Sequence, residues 1–134
     1  MTIKVGDIKG VSAELASTLK SHDIKDSDDL LAAGRTPSGR KELSAKLGIT
    51  TKELMEFVNR ADLARNKGVG AVLADMLENA GVDTVKELST RKPENLHAKI
   101  VSVTTDAPAI SIPSAEKVTD WVAQAKELGA GIEY

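Results

Sequence analysis

A chain of 134 residues with 41% hydrophobic and 28% charged side chains has the composition of a globular domain, which disfavours the disordered class. The absence of cysteine excludes disulfides, thiolate metal sites and a cysteine nucleophile. Residues 1–65 hold eleven basic and ten acidic side chains, and residues 66–134 hold seven basic and ten acidic ones. Neither half is therefore basic enough to favour binding to the phosphate backbone of a nucleic acid. No apolar run could cross a bilayer, and we expect a cytoplasmic protein without a membrane partner.

The segment from Ile8 to Leu19 is the first half of an internal repeat. It aligns with Asn66 to Leu77 at an offset of 58 residues (66 − 8), sharing Lys, Gly, Val, Ala, Leu, Ala and Leu at matching places. Ser12 stands where the second segment has Gly70. Because only seven residues precede Ile8, the first copy is predicted to be a partial hairpin.

Two short helices are predicted after the first copy. One begins with the acidic run at Asp26, where carboxylates suit a helix start, and Gly34 is predicted to end it. The other has Thr36 as its cap and Pro37 as its first residue, and it ends at Gly48. The order of these elements recurs after Ala80.

A longer amphipathic helix closes each copy. Thr50 and Ser114 are the predicted N-caps, and Glu53 completes a capping box with Thr50. The two helices have the same spacing of apolar residues at an offset of 64, which predicts one buried face each. The matching positions are Leu54, Phe57, Val58, Ala61 and Ala64 in the first helix, and Val118, Trp121, Val122, Ala125 and Leu128 in the second.

The second copy carries about eleven extra residues, since the offset grows from 53 at Leu47/Ile100 to 64 at Phe57/Trp121. They run from Val101 to Ser111, where β-branched residues and proline predict a non-helical connection. We therefore expect a first unit at residues 1–65 and a second at residues 66–134, which share the helix at about 51–65.

The second copy also contains the clearest turn. Gly68 and Gly70 bracket Val69 ahead of a helical pattern, which is typical of the hairpin in a helix-hairpin-helix. Both glycines are expected to adopt backbone angles that other residues disfavour, and Val69 is expected to point between the two helices.

The chain as a whole resembles a largely bacterial domain-of-unknown-function family built from helix-hairpin-helix units. More distantly, each unit is similar to the small helical DNA-binding domain at the N-terminus of strand-exchange recombinases. The resemblance implies an all-α fold of two fused helix-hairpin-helix-type (SAM-like) units in one compact body, and it carries no established activity. The segments that show it are Ile8–Val11, Gly39–Leu43, Asn59–Leu63, Lys67–Gly70, Asn79–Leu88, Pro93–Lys99 and Trp121–Lys126.

One residue departs from that pattern. Asn66 stands where such hairpins have an aliphatic residue, as Ile8 does in the first copy. This difference predicts either a more loosely packed second hairpin or a use of Asn66 to end the preceding helix.

The hairpins are the first candidate binding site, since backbone N–H groups at a helix start can hold a phosphate. The candidate residues are Lys9, Gly10 and Ser12 in the first copy, and Lys67, Gly68 and Gly70 in the second. The alternative is a purely structural turn, which the apolar residues after Gly70 favour. The basic stretch with Arg35, Arg40 and Lys41 is a second candidate, and its alternative is a solvated helix start.

Other chemistry has little support in the sequence. His22 and His97 lack metal-ligand spacing, and the acids at Asp26, Asp28 and Asp29 are explained by helix capping. Phe57 and Trp121 fit packing better than a stacking platform. We therefore expect no enzyme and no cofactor, but a non-catalytic binding or scaffold module with a protein partner. The alternative is sequence-independent binding of a DNA or RNA backbone through the glycine-rich hairpins.

Overall fold

The computed structural model describes residues 2–104 and 112–134 of the chain, and these residues form an all-helical fold. The helices are α1 (Ala13–Ser21), α2 (Ser27–Gly34), α3 (Pro37–Leu47), α4 (Thr51–Leu63), α5 (Ala71–Asn79), α6 (Val85–Ser89), α7 (Pro93–Val103) and α8 (Ala115–Leu128). A single 3-10 turn at Val5–Asp7 precedes them. Within the described ranges, none of the helices combines the length and the apolar character that a bilayer crossing requires.

The helix starts follow the predicted capping residues. Side-chain oxygens at the N-cap accept a backbone N–H in six helices, and the predicted caps Thr36, Thr50 and Ser114 are confirmed. The full set is Ser12, Asp26, Thr36, Thr50, Thr84 and Ser114. Gly48 ends α3 in the left-handed conformation at φ 69°, as expected of a glycine C-cap.

Gly34 ends α2, as predicted, and it also permits a close contact with α4. It is the last residue of α2, and a Cβ there would lie 2.5 Å from Val58 Cγ2. The absence of a side chain lets α2 pack closely on α4. The close approach of the two helices therefore also favours glycine at this position.

In the described part of the chain, the interior consists of two hydrophobic clusters, and α4 contributes to both of them. The first cluster contains Phe57, which is 7% exposed, with residues of the N-terminal segment and of α1 to α4. The second cluster contains Trp121, which is 3% exposed, with residues of α5 to α8 and Leu63 of α4. The predicted burial of both aromatic residues is confirmed. Leu63, at the end of α4, packs in the second cluster. Leu128 was expected to complete the buried face of α8, but that prediction is wrong because 40% of the residue is exposed.

The predicted connection from Val101 to Ser111 needs correction. Helix α7 continues through Val103, and the Thr104 N–H donates to the Ile100 carbonyl at 3.0 Å. β-branched residues lower helix propensity by only a few tenths of a kcal/mol each, roughly, so the preceding helix extends through them. Residues 105–111 lie outside the described part of the chain.

The two glycine turns share one geometry. Gly10 has φ 91° and Gly68 has φ 88°, a region that favours glycine. In each turn a valine N–H donates to a carbonyl three residues earlier: Val11 to Ile8 at 3.1 Å, and Val69 to Asn66 at 3.2 Å. Gly70 differs from the prediction, since its backbone is extended at φ −92° and ψ −168°. It occupies the N-cap position of α5, as Ser12 does in α1, and needs no special backbone angle.

Asn66 is fully buried, so the second hairpin is not loosely packed there. Its side-chain Nδ2 donates to the Trp121 carbonyl at 2.9 Å, which joins the hairpin to α8. Helix α4 already ends at Leu63, before Asn66. Both predictions for Asn66 are therefore wrong. Its side-chain amide donates a hydrogen bond to a residue far along the chain, whereas the matching position in the first copy holds the buried aliphatic Ile8.

Candidate binding surface

The first hairpin is tied to α5 by an ion pair. Lys9 Nζ lies 2.8 Å from Asp75 Oδ1, and Arg60 approaches the same oxygen at 3.2 Å. Burial acts to raise the pKa of the Asp75 carboxyl, but the hydrogen bonds and charges of Lys9 and Arg60 hold that pKa below its usual 3.8. At neutral pH, Asp75 is therefore an ionised partner for Lys9. Ser12 caps α1 by accepting the Leu15 N–H, which satisfies one of the backbone donors at this helix start.

The second hairpin is more open. Lys67 is exposed, and among the described residues its ammonium has no carboxylate at ion-pair distance. Its backbone N–H donates to Gln124 Oε1 at 3.0 Å. Gly70 cannot cap α5 with a side chain, and Val72 in the first turn is 66% exposed. This end of α5 combines open backbone donors with an exposed apolar residue.

The basic stretch of α3 does not form one charged surface. Arg40 is only 8% exposed, and its guanidinium donates to the carbonyls of Gly34 at 2.9 Å, Arg35 at 3.0 Å and Glu133 at 2.7 Å. Arg35 faces the Glu133 carboxylate at 3.9 Å, whereas Lys41 is exposed. The placement of Arg40 argues against its direct contact with a partner, because its donors already hold the C-terminal segment.

Two further arginines, one in α4 and one just after it, are also bound within the fold. Arg60 is buried and contacts Asp75 and Glu78 on α5. Arg65 Nη1 lies 2.7 Å from Asp62 Oδ1 and also donates to the Gly129 carbonyl at 3.1 Å. The positive charges of Arg60 and Arg65 are therefore paired with carboxylates of the same chain.

Asp62 was not singled out in the sequence, although both of its carboxylate oxygens have partners within the fold. It is 1% exposed, and its Oδ2 accepts the Val85 N–H at 2.7 Å, so one carboxylate joins α4, α6 and Arg65. The only sequence signal was the spacing of three residues from Asp62 to Arg65, which places the two side chains on one helix face.

A groove runs beside the C-terminal end of α8. It has a volume of about 450 Å³, and we call it the Leu128 groove. A smaller depression of about 260 Å³ shares Arg65 and Leu128 with the groove and includes Lys67 and Gln124. The groove is lined by apolar residues and by charged residues of both signs. Its lining residues are Asp28, Leu31, Ala32, Arg35, Arg65, Leu128, Ala130 and Gly131.

The two histidines occupy separate positions. His97 Nε2 lies 3.0 Å from the Pro113 carbonyl, and His22 lines a cleft with Ile24 and Leu43. The acids of the predicted capping run behave as caps: Asp26 Oδ1 accepts the Asp29 N–H at 2.9 Å, and Asp29 Oδ2 accepts the Lys25 N–H at 3.0 Å.

The geometry defines an all-helical protein with two hydrophobic clusters and an open groove between α2 and α8. The family model described as a domain of unknown function (DUF4332) matches residues 9–128, and the chain therefore belongs to this family. The predicted membership of a domain-of-unknown-function family is thereby confirmed. No curated protein and no solved structure matches the chain.

Proposed function

We propose that this chain is a non-catalytic binding module that holds a segment of another protein in the Leu128 groove. The observation that carries the proposal is the exposed Leu128 in a groove that is lined by apolar residues and by charges of both signs. A partner side chain that covers Leu128, Leu31 and Ala130 would gain roughly 25 cal/mol for each Å² of apolar surface removed from water.

The charges around the groove favour a peptide over a phosphate backbone. Asp28 and Arg35 both line the groove, and Glu127 lines the depression that shares Leu128 with it. Carboxylates on both sides repel a polyanion, whereas a peptide can present donors and acceptors to both signs of charge. Arg65 contributes little free charge because Asp62 already pairs with it.

The proposed architecture is two fused helix-hairpin-helix units, residues 1–65 and 66–134, that share α4. Support comes from the matching turns at Gly10 and Gly68 and from the presence of α4 residues in both clusters. The more distant similarity to the recombinase domains belongs to the same proposal. On this basis the glycine turns are structural, and the partner binds in the Leu128 groove, whose lining contains no residue of either turn.

Binding of a DNA or RNA backbone is the alternative. It is favoured by the second hairpin, where Lys67 is exposed and α5 has no side-chain cap. Backbone donors at a helix start can hold a phosphate. The residues that follow are Ala71, Val72 and Leu73, however, so no cation reinforces the contact in the first turn of the helix.

The groove is tested by selecting displayed peptides on the immobilised wild-type chain and measuring their affinity by fluorescence anisotropy. We expect the selected peptides to share an apolar residue. Leu128→Asp should weaken their binding by about tenfold or more, since a central apolar anchor contributes at least 1.4 kcal/mol, roughly.

Val101→Asp is the matched control, because Val101 lies on α7 and is 45% exposed, close to the exposure of Leu128. It should leave peptide affinity within about twofold, as expected for a surface change away from the contact. Equal losses in both variants, or selected peptides that ignore the Leu128 substitution, would contradict the assignment of the groove.

A further inference from the structure

A second surface, separate from the Leu128 groove, brings three lysines together. Lys4, Lys20 and Lys25 line one surface cleft of about 310 Å³. Lys4 belongs to the N-terminal segment, Lys20 to the last turn of α1, and Lys25 to the connection that leads to α2. The fold therefore gathers positive charge that the sequence distributes over more than twenty positions.

Backbone hydrogen bonds fix the positions of these lysines. The Val5 N–H donates to the Lys25 carbonyl at 3.1 Å, and an isolated antiparallel bridge pairs Lys4 with Asp26. The Asp23 N–H donates to the Lys20 carbonyl at 3.0 Å, which closes the turn after α1. Because the backbone of these three lysines is already ordered, binding of a ligand would cost only the conformational entropy of the lysine side chains.

The three ammonium groups are available for an external partner. In residues 2–104 and 112–134, the ion pairs involve other cations, and Lys4, Lys20 and Lys25 have no carboxylate at ion-pair distance. The described wall of the cleft is almost entirely carbon, as expected where lysine side chains lay their methylene stems along a surface and hold the charged ends in water.

We infer that this cleft binds an acidic segment of a partner protein in which carboxylates flank an apolar side chain. Charge complementarity places the carboxylates at the ammonium groups, and the carbon wall accommodates the apolar side chain. Asp23 and Asp26 lie in the same connection as Lys25 and disfavour a continuous array of phosphates along this surface. The inference does not depend on the Leu128 groove.

The test uses the full chain and a short fluorescent peptide of glutamates around one leucine. Replacing Lys4, Lys20 and Lys25 together by alanine should weaken binding by about tenfold, because each exposed ion pair accounts for a factor of roughly 1.4 to 5 in affinity. The matched control replaces Lys86, Lys117 and Lys126, which are exposed on α6 and α8, and thus makes the same change of net charge. It should change affinity by less than about twofold.

Three further measurements make the result specific. Replacing the leucine of the peptide by serine should weaken binding to the wild-type chain and not to the triple alanine variant. Inorganic phosphate and a short duplex DNA should compete poorly with the peptide. A tighter affinity for the duplex, no binding of the peptide to the wild-type chain, or equal losses in the triple alanine variant and its control would each overturn the inference. Circular dichroism confirms that both variants are folded.

Discussion

Replacing Trp121 by alanine is expected to lower the free energy of unfolding by about 3–5 kcal/mol, as for other large-to-small changes in a core. Trp121 is 3% exposed in the second cluster, and its indole Nε1 would lie 3.5 Å from a Cβ at Gly68. Alanine would leave a cavity between α8 and the turn that precedes α5. Chemical denaturation of the variant and the wild-type chain measures the difference.

Val72→Ala is the control for the tryptophan variant, since Val72 is 66% exposed. A change of less than about 0.5 kcal/mol is expected there. If Trp121→Ala cost no more than this control, the second cluster would not be the source of stability that its burial indicates. If the substitution destabilised only the second cluster, that cluster would unfold in a transition that leaves the environment of Phe57 unchanged.

Asp62→Ala is the second substitution with a large expected effect, about 3–5 kcal/mol, because it breaks a buried ion pair on one side only. Asp62 is 1% exposed. Without the carboxylate, the Arg65 guanidinium loses its 2.7 Å partner and the Val85 N–H loses its acceptor. Thermal or denaturant unfolding measures the loss.

Two variants calibrate that result. Asp62→Asn keeps an acceptor and should lose less than Asp62→Ala. Arg35→Ala removes an ion pair whose side chains are 60% and 63% exposed, and should cost less than about 1 kcal/mol. Equal effects of Asp62→Ala and Arg35→Ala would show that burial of the Asp62 carboxylate adds no stability.

Local features of this fold could be predicted from the sequence because their causes lie within a few residues. Thr36 and Pro37 begin α3, and Gly48 ends it, since capping requires only a side-chain oxygen, a fixed φ and a left-handed residue. The periodic spacing of apolar residues likewise predicted the buried aromatic positions. That periodicity failed at Leu128, where α8 ends at a Gly129 cap and the side chain no longer faces the core.

Contacts between distant residues could not be predicted in this way. Arg40 was interpreted as a surface cation, but its Nη2 donates to the carbonyl of Glu133, 93 residues away. The Asn66 amide meets a carbonyl 55 residues away, and the cleft at Lys4 forms only when the N-terminal segment pairs with the start of α2. Single-sequence patterns carry no information on which cation the fold uses internally and which it leaves at the surface.

We propose that the partner of this chain is a protein and not a nucleic acid. This proposal is tested most directly by titrating the wild-type chain with duplex and single-stranded DNA at low and moderate salt, with Lys67→Glu as the variant. We expect an affinity no tighter than the non-specific range of about 10⁻⁴–10⁻⁶ M at physiological salt, and we expect Lys67→Glu to change it little. Tight duplex binding at moderate salt that Lys67→Glu abolishes would contradict the proposal.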